Sequence, residues 1–439
     1  MVASVFMDDF IILRYVLPFD FYWYYITFIV SILYYIRQTG SLRLLPRWFA
    51  ASITLLIATT MGLTLSNDEF TIVVLKQIVG LVFTSIAYYT FLAYNNFEVK
   101  RIFRMYIYLA LFVALEGLFE EIMNLNGIHI NIKYRETNSG FYRIFGIMGE
   151  PYFLAVILLP AFNFVFYKTT IFERVNTQIS NPILLASIGL CFIFTFSSAG
   201  FMGVAGLALF WMVNKNYLSF KSWKIIILPF LIFFMGLAFN NVQSQWKEFN
   251  TKFNQTIEAF INNSTKKEDI NDLNTSSFAL YSNFIIAKES FQKRPLTGSG
   301  LGTHEANYRK YFSKYFDDDF VIKYGIFNTL DANSLFIRLM SETGLMGLTM
   351  FFWFLFSRLL WRKGYNDPYT RDYTIINQSI FIWFVVRLLR TGNYFGNGFF
   401  LFFFMYYICY KMVMQRRLII RQEQQRQRLK ENYEPVSEF

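Results

Sequence analysis

The sequence predicts an all-α polytopic membrane protein. Three observations carry that reading. Of 439 residues, 55% are hydrophobic and 21% aromatic, whereas only 16% are charged, a balance unlike that of a soluble domain. Apolar runs recur along the chain, and a helix needs about 20 apolar residues to cross a bilayer core. Lysine and arginine collect in alternate connections between those runs, the asymmetry that orients spans in a membrane.

About 11 spans (10–14) are expected, at 20–36, 48–65, 70–94, 103–123, 151–167, 182–197, 200–213, 225–240, 333–356, 374–390 and 398–414. The span at 200–213 is short and reads as half of a hairpin or as extended by loop residues. Residues 1–19 hold Asp8, Asp9, Arg14 and Pro18. They read as a short interfacial segment, with a further span as the alternative, and their acidic start is unlike a cleavable signal peptide.

The connections 37–47, 95–104, 214–224 and 357–373 are basic, and so is the tail RRLIIRQEQQRQRLK. This set is expected in the cytoplasm together with the C-terminus. SNDE (66–69) and TGNYFGN (391–397) are poor in positive charge and belong to the opposite face. The net charge of +11 then reports topology and contact with an anionic leaflet, and nucleic acid is not an expected partner. Two long loops, 124–150 and 241–332, fall on the non-cytoplasmic side. The second is expected to fold as a cap with amphipathic helices at 244–261 and 277–292. The chain thus divides into an N-terminal bundle (1–240), the large loop (241–332), C-terminal helices (333–414) and a basic tail (415–439).

Cys191 and Cys409 lie within apolar spans and read as small hydrophobes. Histidine occurs only at 129 and 304. The chain has no HExxH, no CxxC, no Walker loop and no GxGxxG after a strand. No metal and no cofactor is expected, and a substrate would have to arrive already activated.

Charges at mid-bilayer cost about 2.5–3.5 kcal/mol each on insertion scales, so each asks for a cavity or a partner. Lys76 lies within 70–94, and Glu116, Glu120 and Glu121 stand at the outer end of 103–123. Arg338 and Glu342 are spaced i,i+4, and Arg387 and Arg390 i,i+3. A structural reading stands beside each, either snorkelling or an ion pair, and Arg338 can pair with Glu342. Two arginines on one face repel unless an anion sits between them, and guanidinium forks fit diphosphate oxygens. The expectation is a non-cytoplasmic pocket with an arginine floor and carboxylates at its rim. Its ligand would be a lipid-anchored phosphate or diphosphate whose tail enters from the bilayer. The lipid diphosphate would be the leaving group, stabilised by the arginines.

RIFGIMGEPYFLA (143–155) resembles the Arg…Glu-Pro segment of bacterial O-antigen and exopolysaccharide polymerases of the Wzy type. TFSSAGFMGVAGL (195–207) is similar to their Ser-Gly helical hairpin, and RPLTGSGLG (294–302) to the Gly-rich stretch of their large periplasmic loop. DANSLFIRLMSETGLMGL (331–348) resembles the segment that follows in polymerases and ligases. The resemblance spans residues 143–348. It implies a GT-C-like glycosyltransferase of the bacterial inner membrane, its active site facing the periplasm. Such an enzyme polymerises undecaprenyl-diphosphate-linked oligosaccharide units without a nucleotide sugar or a metal. The lipid-linked oligosaccharide would be donor and acceptor, membrane lipid a partner, and a chain-length regulator protein a further one.

On this reading Glu150 is the candidate base, with Asp331 and His304 as rivals; His304 has a suitable intrinsic pKa but stands in a loose-looking Gly-rich loop. The alternative for Glu150 is a helix cap. Arg143, Tyr152, Arg294, Asn333, Arg338, Arg387 and Arg390 are the candidates for holding substrate. Ligases of the superfamily carry His-Asn where this chain has Asn333-Ser334, which favours a polymerase over a ligase. A flippase or transporter of lipid-linked sugars is the alternative from another class. It would call for internal repeats and midplane charges, whereas the charges here gather towards one side.

The Lys/Arg pattern generates a first prediction. Alkaline phosphatase fused after residue 430 should be inactive and green fluorescent protein there fluorescent, while fusions within 241–332 should behave in the opposite way. An active phosphatase on the tail overturns the orientation.

Overall fold

A computed structural model describes residues 1–7, 11–13, 21–41, 43, 45–67, 71–129, 142–170, 174–175, 178–215, 275–316, 329–362, 364–396 and 398–433. Seven helices fill the first half: α1 Trp23–Thr39, α2 Arg47–Ser66, α3 Ile72–Tyr94, α4 Val99–Leu125, α5 Pro151–Thr170, α6 Asn181–Phe194 and α7 Ser198–Asn214. Five follow: α8 Thr275–Lys293, α9 His304–Tyr315, α10 Leu335–Ser357, α11 Pro368–Arg390 and α12 Phe399–Tyr433. Ten of the expected spans coincide with helices. The span 225–240 and the amphipathic segment 244–261 lie outside the described residues, whereas 277–292 is α8. By length and composition α2, α3, α4, α5 and α10 can cross a membrane; α6 and α7 are apolar but shorter. Helix α12 runs unbroken through the expected division at 414/415.

The described parts of the N-terminal segment are short and irregular. Ala3–Phe6 is a 3₁₀ turn, and Ile11–Leu13 pairs antiparallel with Phe21–Tyr22. Val5 and Phe6 are buried, and Ser4 shares a 2.9 Å hydrogen bond with the Tyr88 hydroxyl. Apolar side chains inserted into the bundle hold this piece against the core.

Local chemistry sets the helix ends. Pro151 and Pro368 open α5 and α11, and Pro182 stands in the first turn of α6, where a missing N–H costs nothing. Ser334 and Asp367 cap α10 and α11 through their side-chain oxygens. Gly40, at φ 69°, closes α1 with its N–H on the Ile36 carbonyl. Outer faces of α1 and α2 expose Val30, Leu33 and Leu55, as lipid-facing helices do.

At the centre, α5 packs against α4, α6, α7 and α11. Gly200, Gly203 and Gly206 recur every third residue along α7. A Cβ there would meet Phe192 and Ala155, Leu159, and Ile382 respectively, so their smallness lets α7 approach its neighbours closely. Polar bonds cross the same seam. Asn163 donates to Ser379 at 2.5 Å, Asn214 to Tyr167 at 2.9 Å and to Gln378 at 2.6 Å, and Lys168 pairs with Asp372 at 2.5 Å.

Helix α10 breaks at Gly344, which adopts φ 60° and ψ −153°. Non-helical backbone at such a place must find partners inside the protein. The Gly-rich loop after α8 supplies them. Leu345 and Met346 donate to the Pro295 and Leu296 carbonyls, and Ser299 and Gly300 donate to those of Ser341 and Glu342, all at 2.8–3.0 Å. This clasp ties the α8–α9 cap to α10. The cap has its own small core of Phe278, Tyr281, Ile286, Tyr308 and Phe312.

Both sides of the clasp need glycine. A Cβ on Gly298 would stand 2.5 Å from the backbone of Glu342 and Thr343, and one on Gly344 would stand 2.6 Å from the Gly298 nitrogen, each at positive φ. Gly298→Ala or Gly344→Ala should each cost about 2–4 kcal/mol, combining left-handed strain with overpacking. Gly62→Ala, in a helix with open space around it, should cost nothing. Thermal unfolding in detergent reads the difference; equal melting of the three variants overturns the clasp.

Candidate functional site

The site is assembled around the short turn between α11 and α12. Thr391 ends α11 by donating to the Arg387 carbonyl at 3.1 Å. Three consecutive residues then each engage a charged group. The Gly392 carbonyl accepts from Arg338 Nη1 at 3.0 Å, and the Asn393 carbonyl from Arg387 Nη2 at 2.7 Å. Tyr394 donates its hydroxyl to Glu342 Oε2 at 2.8 Å, and the Arg338 guanidinium lies over its ring at 4.3 Å. Asn393 turns the chain by accepting the Phe395 and Gly396 N–H groups on its side chain. Gly392 has no room for a Cβ, because the Asp331 carbonyl occupies that space.

Arg338 and Glu342 pair with each other at 3.1 Å, at 2% and 1% side-chain exposure. Of the two readings of this i,i+4 spacing, the ion pair is the arrangement present. Arg387 is buried between Trp383 and Phe399, at 4.8 and 5.6 Å. Arg390, one turn on, is half-buried near Tyr152.

Asp331 opens the approach to α10. Ala332 and Asn333 both adopt left-handed φ, 55° and 54°. Such strain persists only where the surroundings hold it, and it clusters at working sites. It turns the Asn333 N–H back onto Asp331 Oδ1 at 3.0 Å. Ser334 then donates to the Leu388 carbonyl at 2.6 Å, joining the α10 start to α11. Asp331 is half-buried. Desolvation raises its carboxyl above the ordinary aspartate range, opposed in part by the Asn333 N–H and the Arg338 and Arg387 charges. Tyr152 stands near Thr391, with Asp331, Glu150 and Arg387 in its electrostatic surroundings. The fold therefore gathers Glu150, Tyr152, Asp331, Asn333, Arg338, Arg387 and Arg390 from three distant stretches.

The Arg143–Glu150 segment is held from below by α4. Glu120 accepts the Gly146 N–H at 2.7 Å, Glu116 that of Ile147 at 3.1 Å, and Glu121 that of Tyr142 at 3.1 Å. Sequence reasoning placed these carboxylates at a pocket rim and missed their work as backbone anchors. The available signal was a row of acids facing a glycine-containing loop. Arg143 reaches the Phe196 carbonyl at 3.4 Å, in the break between α6 and α7. Glu150 is exposed, and its carbonyl takes the Phe153 and Leu154 N–H groups. It thus stands exposed at the start of α5.

His304 corrects an expectation. It is fully buried at the start of α9, with Nε2 2.9 Å from Asn283 Oδ1 and its N–H 3.4 Å from Glu342 Oε1. Burial and the Arg338 charge lower its pKa to about 3, so it is a neutral core imidazole. Its neighbours in the Gly-rich loop are fixed by the clasp. Arg294 stands just after α8, where its carbonyl accepts from Gly298.

An apolar groove adjoins the cluster. Trp48 and Ile53 of α2, Leu339 and Met350 of α10, Phe403 of α12 and Leu301 line it, and Tyr394 stands at its edge.

Residues 183–352 match the family model described as O-antigen ligase. The match supports the O-antigen ligase and polymerase superfamily for this stretch. No curated protein matches the chain. The matched stretch of this ligase-type domain runs from α6 through the clasp into α10, so it contains His304, Asp331, Arg338 and Glu342. Arg143–Tyr152 and Arg387–Tyr394 lie outside it and are brought to it by the fold.

Glu342 serves Arg338, Tyr394 and the His304 N–H at once. Glu342→Ala should cost about 3–5 kcal/mol, since it strands a buried guanidinium. Arg338→Met combined with Glu342→Leu should recover most of that loss. Thermal unfolding is the measurement, and a double variant as unstable as Glu342→Ala overturns the ion pair as the cause.

Proposed function

We propose that the protein is a membrane glycosyltransferase that polymerises oligosaccharide units carried on a lipid diphosphate, with undecaprenyl diphosphate as the carrier. The observation that carries this reading is the convergence of Arg387, Arg390, Tyr152 and Asp331 beside an apolar groove, in a chain with an O-antigen ligase domain. The groove suits the isoprenoid tail and the arginines suit the diphosphate. The site would face the periplasm of the inner membrane, in keeping with the Lys/Arg pattern. A chain-length regulator is the proposed protein partner, and the helical bundle the scaffold of a GT-C-like enzyme.

In the proposed reaction the acceptor hydroxyl attacks the anomeric carbon of the donor. The bond from that carbon to the diphosphate oxygen breaks, and the lipid diphosphate leaves with the electron pair. Arg387 and Arg390 stabilise the charge that grows there. Asp331 takes the hydroxyl proton. Its desolvated carboxyl has a higher proton affinity than an ordinary aspartate, which suits a base. The Asn333-Ser334 pair leaves no ligase-type histidine at that place, and Asp331 two residues earlier fills the need. Arg338 is committed to Glu342 and Gly392, so it shapes the site rather than gripping substrate.

Asp331→Asn should lower single-turnover elongation of lipid-linked units by about 10²–10⁴-fold, the usual worth of a general base. Glu150→Gln should lower it by less than about tenfold. The reverse pattern transfers the role to Glu150. Elongation should also rise with pH through the Asp331 carboxyl, because only the carboxylate accepts a proton. That acid limb should lie above the ordinary aspartate value of 3.8 and vanish in Asp331→Asn. In cells, deletion should remove long surface chains while leaving single capped units; loss of every unit instead indicates a ligase or flippase.

A further inference from the structure

We infer that Tyr394 is a positioning residue that fixes where the isoprenoid tail of the substrate ends and its diphosphate begins. The inference rests on the reading of the site given under Proposed function. One side chain serves two compartments. The Tyr394 ring borders the apolar groove together with Leu301, Leu339 and Phe399. The Arg338 guanidinium lies over the same ring at 4.3 Å. The hydroxyl is tied to Glu342 at 2.8 Å, so the ring is held in one orientation. The preceding residue, Asn393, gives its carbonyl to Arg387 at 2.7 Å. The wall of the groove and the support of a diphosphate-binding arginine are therefore adjacent peptide units.

An isoprenoid diphosphate changes from hydrocarbon to multiply charged oxygen across a single C–O–P linkage. If the chain slid by one isoprene unit, phosphate would enter the groove or hydrocarbon would displace the arginines' partners. Both are unfavourable, because charge needs pairing and apolar surface needs cover. A tyrosine suits such a boundary, with an apolar ring on one side and a polar tip on the other. The Arg338 guanidinium stacked on that ring helps to hold it in place. The Arg338–Glu342 pair already closes on itself at 3.1 Å, so the ring is more than its counter-partner.

The test uses purified full-length protein and two probes, inorganic diphosphate and geranylgeranyl diphosphate. Tyr394→Ala should weaken the geranylgeranyl probe by about tenfold or more, as expected for a lost aromatic contact and its area, while inorganic diphosphate changes by less than about twofold. Tyr394→Phe keeps the ring and should bind the geranylgeranyl probe within about threefold of wild type. With lipid-linked units, Tyr394→Ala should raise KM more than it lowers kcat. Equal weakening of both probes overturns the inference, since a structural role would disturb the arginines for either. A Tyr394→Ala protein that melts early yet binds both probes normally overturns it as well. Wild-type protein that binds neither probe overturns the site reading itself, and this inference with it.

Discussion

Arg338 and Glu342 are buried to within 2% of complete enclosure, where neither ion has water. A buried pair must therefore collect every polar group within reach, and the groups collected here come from all around the site. The α11–α12 turn contributes the Gly392 carbonyl and the Tyr394 hydroxyl. The cap contributes the His304 N–H. One turn further along α10 lies the break at Gly344, whose freed backbone groups receive the Gly-rich loop. Cap, clasp and turn are thus set by the same few residues.

The opposite side of the site obeys the same rule with the signs exchanged. There the carboxylates of α4, Glu120 and Glu121 buried and Glu116 half-buried, take backbone N–H groups of the Tyr142–Ile147 segment as partners. Charge-assisted bonds to backbone position a loop without consuming its side chains. Arg143 and Glu150 stand at the ends of that segment, Arg143 on the Phe196 carbonyl and Glu150 exposed at the start of α5. Between the two anchored sides stand Tyr152, Asp331, Arg387 and Arg390, which are not all locked into structural pairs with one another. Such a division suits the proposed site for a large flexible ligand, with rigid supports behind the groups proposed to hold it.

Much of the bundle was legible because lipid imposes a simple grammar. A span must be long, apolar and helical, so α2, α3, α4, α5 and α10 announce themselves by composition. The i,i+4 spacing of Arg338 and Glu342 showed that they can pair, since four residues bring side chains onto one helix face, but left a ligand-binding role for Arg338 open. The residues from Asp331 to Glu342 were also recognisable as a unit. His304 was misjudged for a physical reason. The glycines just ahead of it signal backbone freedom, but positive-φ turns at Gly298, Gly300 and Gly302 can as well lock a loop as loosen it. The TGNYFGN turn was read only as a connection lacking positive charge, because its carbonyls, which do the holding, are common to all residues.

By itself the sequence determined the class of the protein, most of its helices, and the residue types that its chemistry must use. Hydrophobic periodicity and charge placement are local properties, and local properties survive in a linear string. Tertiary structure alone decided which partners each charge takes. Arg338 and Arg387 look alike in the sequence, as do Glu116 and Glu150. Both arginines are buried on carbonyls of one turn, but Arg338 also pairs with Glu342; Glu116 holds a backbone N–H, whereas Glu150 stands exposed. Those partners depend on residues such as Gly146, Gly392 and Tyr394, far away in the chain, whose positions are fixed only when the helices have packed.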